Sequence, residues 1–493
     1  MAKSVKVNAL AKTLLNILNV ILPLITGPYL AKVLDRDLYG QFNNANSVLL
    51  WFLPFATFGI YNYGIRIISQ NKNDKEKISK IFTSLFIMGC ISSIVVTAIY
   101  FIFMIIKPSD ANNSIYLVLS IQILANIFMV EWMNEAFESY GFILFKTMFV
   151  RISNVLGIFI FVRKSDDIVA YALVSSLIVL VNNLLSYIYI KRNISFSKIK
   201  LDDLKGLFKP LCVMLLLTNA NMFYTYLDRL FLTIFAQPVY TTYYALSQAI
   251  TSVVLNVISA IVIVTIPRLS KYLGDNKKNE YNNLLSLSSR IFFMIGIPMC
   301  IGISVLGNPI MFVYGSGKYN EAGITLSLFA IRYILAMFDM SLANQVIFIH
   351  GKEKLLTKLY FICGGINLAL NSLMAIIGMV TPETLIITTF ISEVILIYLM
   401  TRCIKKEIGK DISVINKYTF KYLFVSLAFY PIAIAINRYI PMNYIFDIKF
   451  VMNVLITIIS CSLLYVIVLL TSKDKALIHI LNIILLKFKN KAK

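Results

Sequence analysis

Charged residues are scarce in this chain. Only 14% of its 493 residues are charged, whereas a soluble domain keeps roughly a quarter of its residues charged, so a water-soluble fold is excluded. Histidine is nearly missing, with just His350 and His479. No Walker loop, GxSxG or HExxH occurs anywhere, which leaves nucleotide hydrolysis, serine hydrolase chemistry and zinc peptidase chemistry without their working parts. The six cysteines, Cys90, Cys212, Cys300, Cys363, Cys403 and Cys461, stand singly in apolar runs with no CxxC. They read as core residues rather than disulfides or metal ligands. No connecting segment exceeds about 25 residues, too short to fold as a catalytic domain of its own. The expectation is therefore a protein that is not an enzyme and that carries no metal or cofactor.

What is present in abundance is apolar sequence. Hydrophobic residues make up 59% of the chain and mean hydropathy is +0.79. They come in runs of about 20, the length that crosses about 30 Å of hydrocarbon as a helix, and not in the short alternating segments of a β-barrel. Fourteen spans are expected, at about 11–34, 42–66, 80–106, 114–134, 142–162, 168–190, 207–235, 241–267, 289–313, 323–349, 355–379, 384–403, 418–437 and 448–471. The basic N-terminal residues run straight into the first span with no small-residue cleavage site, which predicts an uncleaved helix.

The formal charge of +22 does not mark a nucleic-acid surface, because its lysines and arginines lie scattered in short loops instead of on one face. If the first loop is outside, 34 of the 46 cations, Lys146 among them, fall on the inner side and 8 on the outer. Positive-inside topology then puts both termini in the cytoplasm. The basic, apolar tail should lie along the inner membrane surface.

Internal similarity divides the spans. The segments DRDLYGQF (35–42) and GIRIIS (64–69) recur as AQPVYTTY (236–243) and IPRLS (266–270), pairing Tyr39 with Tyr240 and Arg66 with Arg268. Parallel halves of six spans are a transporter layout. The reading is a six-helix bundle over 1–192, a cytoplasmic linker over 193–206, a second bundle over 207–405, helices 13 and 14 over 406–472, and an interfacial tail over 473–493.

The four remaining cations are arginines within or at the edge of spans: Arg66, Arg151, Arg229 and Arg332. Acids at depth are Asp228, Asp339 and Glu393, with Glu131 near the inner end of the fourth span. Charges there are expensive and face a partner or a cavity. Arg332 and Asp339, seven residues apart on one face, are a candidate buried pair, and Arg66 can snorkel to the headgroups. Arg151, with Thr147 and Asn154 on its face, and Arg229 instead invite an anion, phosphate above all, because a guanidinium fork fits it. Polar stripes follow spans one, two, seven and eight: Asn16 and Asn19; Asn43 to Ser47 with Asn46; Asn221, Thr225 and Asp228; Tyr244, Gln248 and Asn256. They fit interhelical hydrogen bonding or the lining of a water-filled cavity.

The segments GPYLAKVLDRDLYGQFNNANSV, GIYNYGIRIIS, FVRKSDDIVAYAL, YLDRLFLTIFA, YYALSQAI, IPRLSKYLGD and LANQVIFIHGKEK run in order over nearly the whole chain. In these the chain resembles the Wzx-like polysaccharide repeat-unit flippases of the multidrug/oligosaccharidyl-lipid/polysaccharide superfamily. The resemblance implies an all-α integral membrane fold of two six-helix bundles around a central cavity plus two extra helices, in a bacterial cell membrane, opening alternately to either side. It implies as substrate an undecaprenyl-pyrophosphate-linked glycan with its lipid tail in the bilayer, and as partners membrane lipid, a polysaccharide polymerase and glycosyltransferases. On that reading Arg66, Arg151, Arg229 and Arg332 hold the pyrophosphate. Asn19, Asn46, Tyr244, Gln248 and Asn256 meet sugar hydroxyls, and Asp228, Asp339 and Glu393 couple a proton or sodium ion. Competing readings are a lipid II flippase, a multidrug antiporter with a carboxylate-dominated cavity, and a non-transporting scaffold for glycan assembly.

Overall fold

The computed structural model describes residues 21–106, 113–219, 222, 226–409, 412, 414 and 416–482. Every regular element among them is helical. Among the described residues twelve helices are long and apolar enough to cross a membrane, and they correspond one to one with the expected spans two to six and eight to fourteen. The other two expected spans, one and seven, each include residues outside the described ones. Of span one the described helix is α1 (Ile21–Val33). Of span seven the described helices are α9 (Leu201–Asn219) and α10 (Leu227–Phe235). The chain divides into two units, residues 1–242 with 371–381, and residues 243–370 with 382–493.

In the first unit, Asp35 caps α2 (Arg36–Thr57) by accepting from the amides of Asp37 and Leu38 at 2.9 and 3.1 Å, leaving fewer orphan donors in the first turn. The expected second span is not one straight helix. It breaks at Phe58 (φ 48°) and Gly59 (φ 70°) before α3 (Ile60–Ser69). The break has a packing reason, for a Cβ on Gly59 would sit 2.6 Å from the Leu215 nitrogen of α9. A bare backbone with a left-handed conformation is what lets α9 approach so closely.

The fourth span is broken too. After α4 (Lys75–Ile106), α5 (Asn113–Ala125) passes through a short 3-10 turn into α6 (Glu131–Ala136). Irregular backbone at membrane depth needs internal hydrogen-bond partners, and Asn183 supplies one by donating to the Ala125 carbonyl at 2.9 Å. Asn183 belongs to α8 (Ile168–Lys191), which packs on α5 and on α7 (Tyr140–Phe161). Trp132 of α6 anchors the core beside Ile68, Phe82 and Met133, with its ring where a Cβ on Gly64 would fall, 2.4 Å away. Outside the spans, Asp167 precedes α8 and accepts from the Arg163 and Lys164 amides at 2.8 Å each. These donors hold its carboxyl below the ordinary aspartate range.

The second unit takes in most of α11 (Pro238–Gly274), α12 (Lys278–Val305), the short α13 (Gly307–Gly315) and α14 (Ala322–Ser341). A π-helical stretch, Leu342–Ile347, continues α14. Beyond it come α15 (Glu353–Ile376), α16 (Pro382–Glu407), α17 (Lys417–Leu427), α18 (Phe429–Tyr439) and α19 (Ile448–Thr471). α14 is the central element, packed against α12, α13 and α16. Gly296 of α12 lets Met337 of α14 approach so closely that a Cβ would overlap its methyl. Residues 475–482 of the basic tail are helical. Asp474 fixes their start: its carboxylate accepts from the Ala476 amide at 3.0 Å and from Tyr422 Oη and Lys421 Nζ of α17.

Candidate functional site: charges inside the spans

The internal repeat stands at matching points of the helices. Tyr39 lies in the first turn of α2 and Tyr240 in the first turn of α11, while Arg66 closes α3 and Arg268 comes near the end of α11.

In the first unit, α10 packs on α2, and Gly40 of α2 lies against the start of α11, where a Cβ would come 2.7 Å from the Pro238 carbonyl carbon. This contact buries a polar layer. Asp228 is fully buried and accepts from Asn371 Nδ2 at 2.8 Å. Its neighbour Arg229 is 6% exposed and lies within electrostatic reach of Tyr39. Asn43 of α2 donates to the Tyr39 carbonyl at 2.9 Å and to Thr242 Oγ1 at 3.1 Å. Asn46 is half-buried one residue past the buried Asn43, Asn44 and Ala45. Asn16, Asn19, Asn221 and Thr225 lie outside the described residues.

Arg151 sits midway along α7, half-buried. Among the described residues no ion pair or hydrogen bond engages its guanidinium. Asn154, one turn on, has a buried Oδ1 that accepts no hydrogen bond from the protein. An arginine at such depth ordinarily finds a carboxylate. Arg66, at the end of α3, is exposed and stacks over Tyr63 at 5.6 Å.

The second unit holds one buried ion pair among the charges read from the sequence. Arg332 of α14 grips Glu393 of α16 with both edges of its fork, Nη2 to Oε1 at 2.6 Å and Nε to Oε2 at 3.1 Å, and both residues are buried. Asp339, suggested by spacing as the partner of Arg332, accepts instead from Tyr360 Oη at 2.9 and 3.2 Å. Tyr244 is buried against Phe329, with ring centroids 4.6 Å apart, and the Arg332 guanidinium lies 5.6 Å from that same ring. Gln248 is half-buried and Asn256 exposed.

Two constellations escaped the sequence reading. Lys146, counted there among the loop cations, lies inside α7 and is 3% exposed. Its ammonium meets Glu131 Oε2 at 2.8 Å and Ser186 Oγ at 2.7 Å, and Asn134 and Ser186 donate to the same carboxylate oxygen. Its place within an expected span, opposite Glu131 at the inner end of the preceding one, was the available signal. In the π-helical stretch, fully buried Gln345 donates to Thr265 at 2.8 Å and Ser288 at 3.2 Å, and accepts from Ser341 at 2.7 Å. Nothing in an isolated glutamine announces such a hub.

Residues 5–273, more than half of the chain, match the family model described as polysaccharide biosynthesis protein. The chain belongs to that family. As a family member it is 20% identical over 404 residues to a Shigella dysenteriae protein described as an O-antigen transporter, an alignment covering 81% of this chain and all of the relative. An Escherichia coli protein of the same description is 24% identical over 160 residues, 32% of this chain and 38% of the relative. Its fold is similar to the lipid II flippase MurJ in an inward closed conformation, at TM-score 0.72 and 14% identity, covering 95% of this chain and 99% of that one. It is also similar to a multidrug resistance MATE family transporter of the MOP superfamily, inward-facing, at TM-score 0.56 and 12% identity over 79% of this chain and all of the other. The polysaccharide biosynthesis family read from the motifs is thus shown. The family member is a multi-pass helical membrane protein whose relatives and structural neighbours are transporters, not enzymes.

Proposed function

We propose that this family member is a flippase that carries a polyprenyl-pyrophosphate-linked oligosaccharide from the inner to the outer leaflet for surface polysaccharide synthesis. The observation that supports it most is Arg151, a guanidinium in mid-span that no described side chain neutralises. A fixed positive charge at that depth stabilises an anion in passage, and a diphosphate offers the fork its matching acceptors. Arg66 and Arg229 add positive charge in the same unit. In the second unit Arg332 is a further phosphate contact when substrate phosphate competes with Glu393 for its fork. Glu393 released in this way becomes a site for a proton, which ties an ion to the substrate; Asp228 and Asp339 are the other candidates for proton or sodium coupling. Asn19, Asn46, Tyr244, Gln248 and Asn256 serve the sugar hydroxyls, and both termini lie in the cytoplasm.

Deleting the gene and extracting lipid-linked intermediates tests this reading. The expected result is loss of one surface polymer with accumulation of its undecaprenyl-pyrophosphate-linked unit on the cytoplasmic side. Native chain restores export and the Arg151→Gln chain does not. Accumulated lipid II would move the assignment to cell-wall precursor, and an unchanged surface with altered drug resistance would favour an antiporter.

A further inference from the structure

α9 forms one wall of two adjoining depressions in the first unit. On one side lies an apolar groove of about 680 Å³, lined by Phe52, Phe55 and Phe58 at the end of α2, Ile91 and Val95 of α4, and Phe208 of α9. Ser92, its uncharged polar lining residue, already donates to the Ala56 carbonyl at 2.7 Å. Ile91, Val95 and Phe208 are about half exposed, so the groove opens sideways into hydrocarbon. Lys205 stands at its rim. On the other side is a recess of about 290 Å³ lined by Arg66 and Lys209 together with Pro210, Val213, Met214 and Leu217. Lys205 and Lys209 are one helical turn apart and so neighbour each other on the surface of α9. Two acids share the first turn of α9: Asp202 lies 4.0 Å from Lys205 with both side chains exposed, and Asp203 accepts from the Lys200 amide at 2.8 Å.

We propose that these two depressions together bind one anionic membrane phospholipid, its acyl chains in the groove and its phosphate on Lys205 and Lys209. The apolar groove matches a hydrocarbon chain, and the cations match a headgroup of net negative charge. The lining chooses between possible lipids: among the described residues the recess has, apart from its cations, no hydroxyl or amide side chain to meet a glycan, so a small phosphate headgroup fits better than a sugar-bearing carrier. Bound there, the lipid braces α9 against the backbone break at Phe58 and Gly59. Its phosphate rests on Lys205 and Lys209, neither of them assigned to transport, although the recess shares Arg66 with the charges that are.

Native mass spectrometry of the whole purified chain, equilibrated with equal amounts of phosphatidylglycerol and phosphatidylcholine, tests the proposal. The expected result is one retained phosphatidylglycerol in preference to phosphatidylcholine. Neutralising Lys205→Gln or Lys209→Gln lowers its retention about fivefold each, and Val95→Trp, which fills the groove and leaves both cations in place, abolishes it. Equal retention of the two lipids, an adduct that survives Val95→Trp in a chain that still unfolds cooperatively, or a polyprenyl phosphate held in preference to both would overturn it.

Discussion

At the scale of single residues, what decides the behaviour of a charge in this protein is whether its partner is already present. Lys146 is neutralised by Glu131, and Arg332 by Glu393. Removing one member of a buried pair leaves the other stranded, which costs about 3–5 kcal/mol. Glu131→Gln should therefore lower the unfolding temperature in detergent far more than the double change Glu131→Leu with Lys146→Leu, which leaves no charge behind. Asp167 gives a pH-dependent case. Its carboxyl is held below the unfolded value by two backbone amides, so the stabilisation is complete at neutral pH. It is lost as pH falls through the depressed range, below the ordinary value of about 3.9. Asp167→Asn should flatten the acid limb of a stability profile measured between about pH 2 and 7. These charges were legible in the sequence as interruptions of apolar runs, but their partners were not. Arg332 and Glu393 stand 61 positions apart, and helical spacing pointed to Asp339.

At the scale of elements, length and hydropathy located twelve spans, because the bilayer sets the length of any helix that crosses it. The same reasoning misses breaks, for these are fixed by neighbours distant in sequence. Span two bends where Leu215 presses on Gly59, and span four bends where Asn183 reaches the Ala125 carbonyl. Two glycine substitutions separate these causes. Gly59→Ala puts a Cβ against backbone at a left-handed residue and should destabilise by about 1–3 kcal/mol or more. Gly64→Ala meets only the Trp132 ring, so adding Trp132→Leu should recover part of its loss, whereas no single side-chain trim should rescue Gly59→Ala. Thermal unfolding of the four variants reads both outcomes.

At the scale of the whole molecule, composition excluded soluble and enzymatic readings before any helix was placed, and the ordered motifs from GPYLAKVLDRDLYGQF to LANQVIFIHGKEK pointed to the right family. Of the fourteen expected spans, twelve are matched by described helices, and spans one and seven lie partly outside the described residues. Which mid-span cations stay unpaired could be learned only from the folded chain, and there Arg151 differs from Lys146 on the same helix. The central claim is that this fixed charge serves the movement of a phosphate-linked glycan between leaflets. It is tested most directly by purified chain in proteoliposomes loaded with a fluorescent polyprenyl-diphosphate oligosaccharide, following its exposure to an impermeant glycosidase. The account predicts exposure well above that of protein-free liposomes, reduced about tenfold or more by Arg151→Gln, the loss of one charge-assisted hydrogen bond. Exposure no faster than in protein-free liposomes, or unchanged by Arg151→Gln, would contradict it.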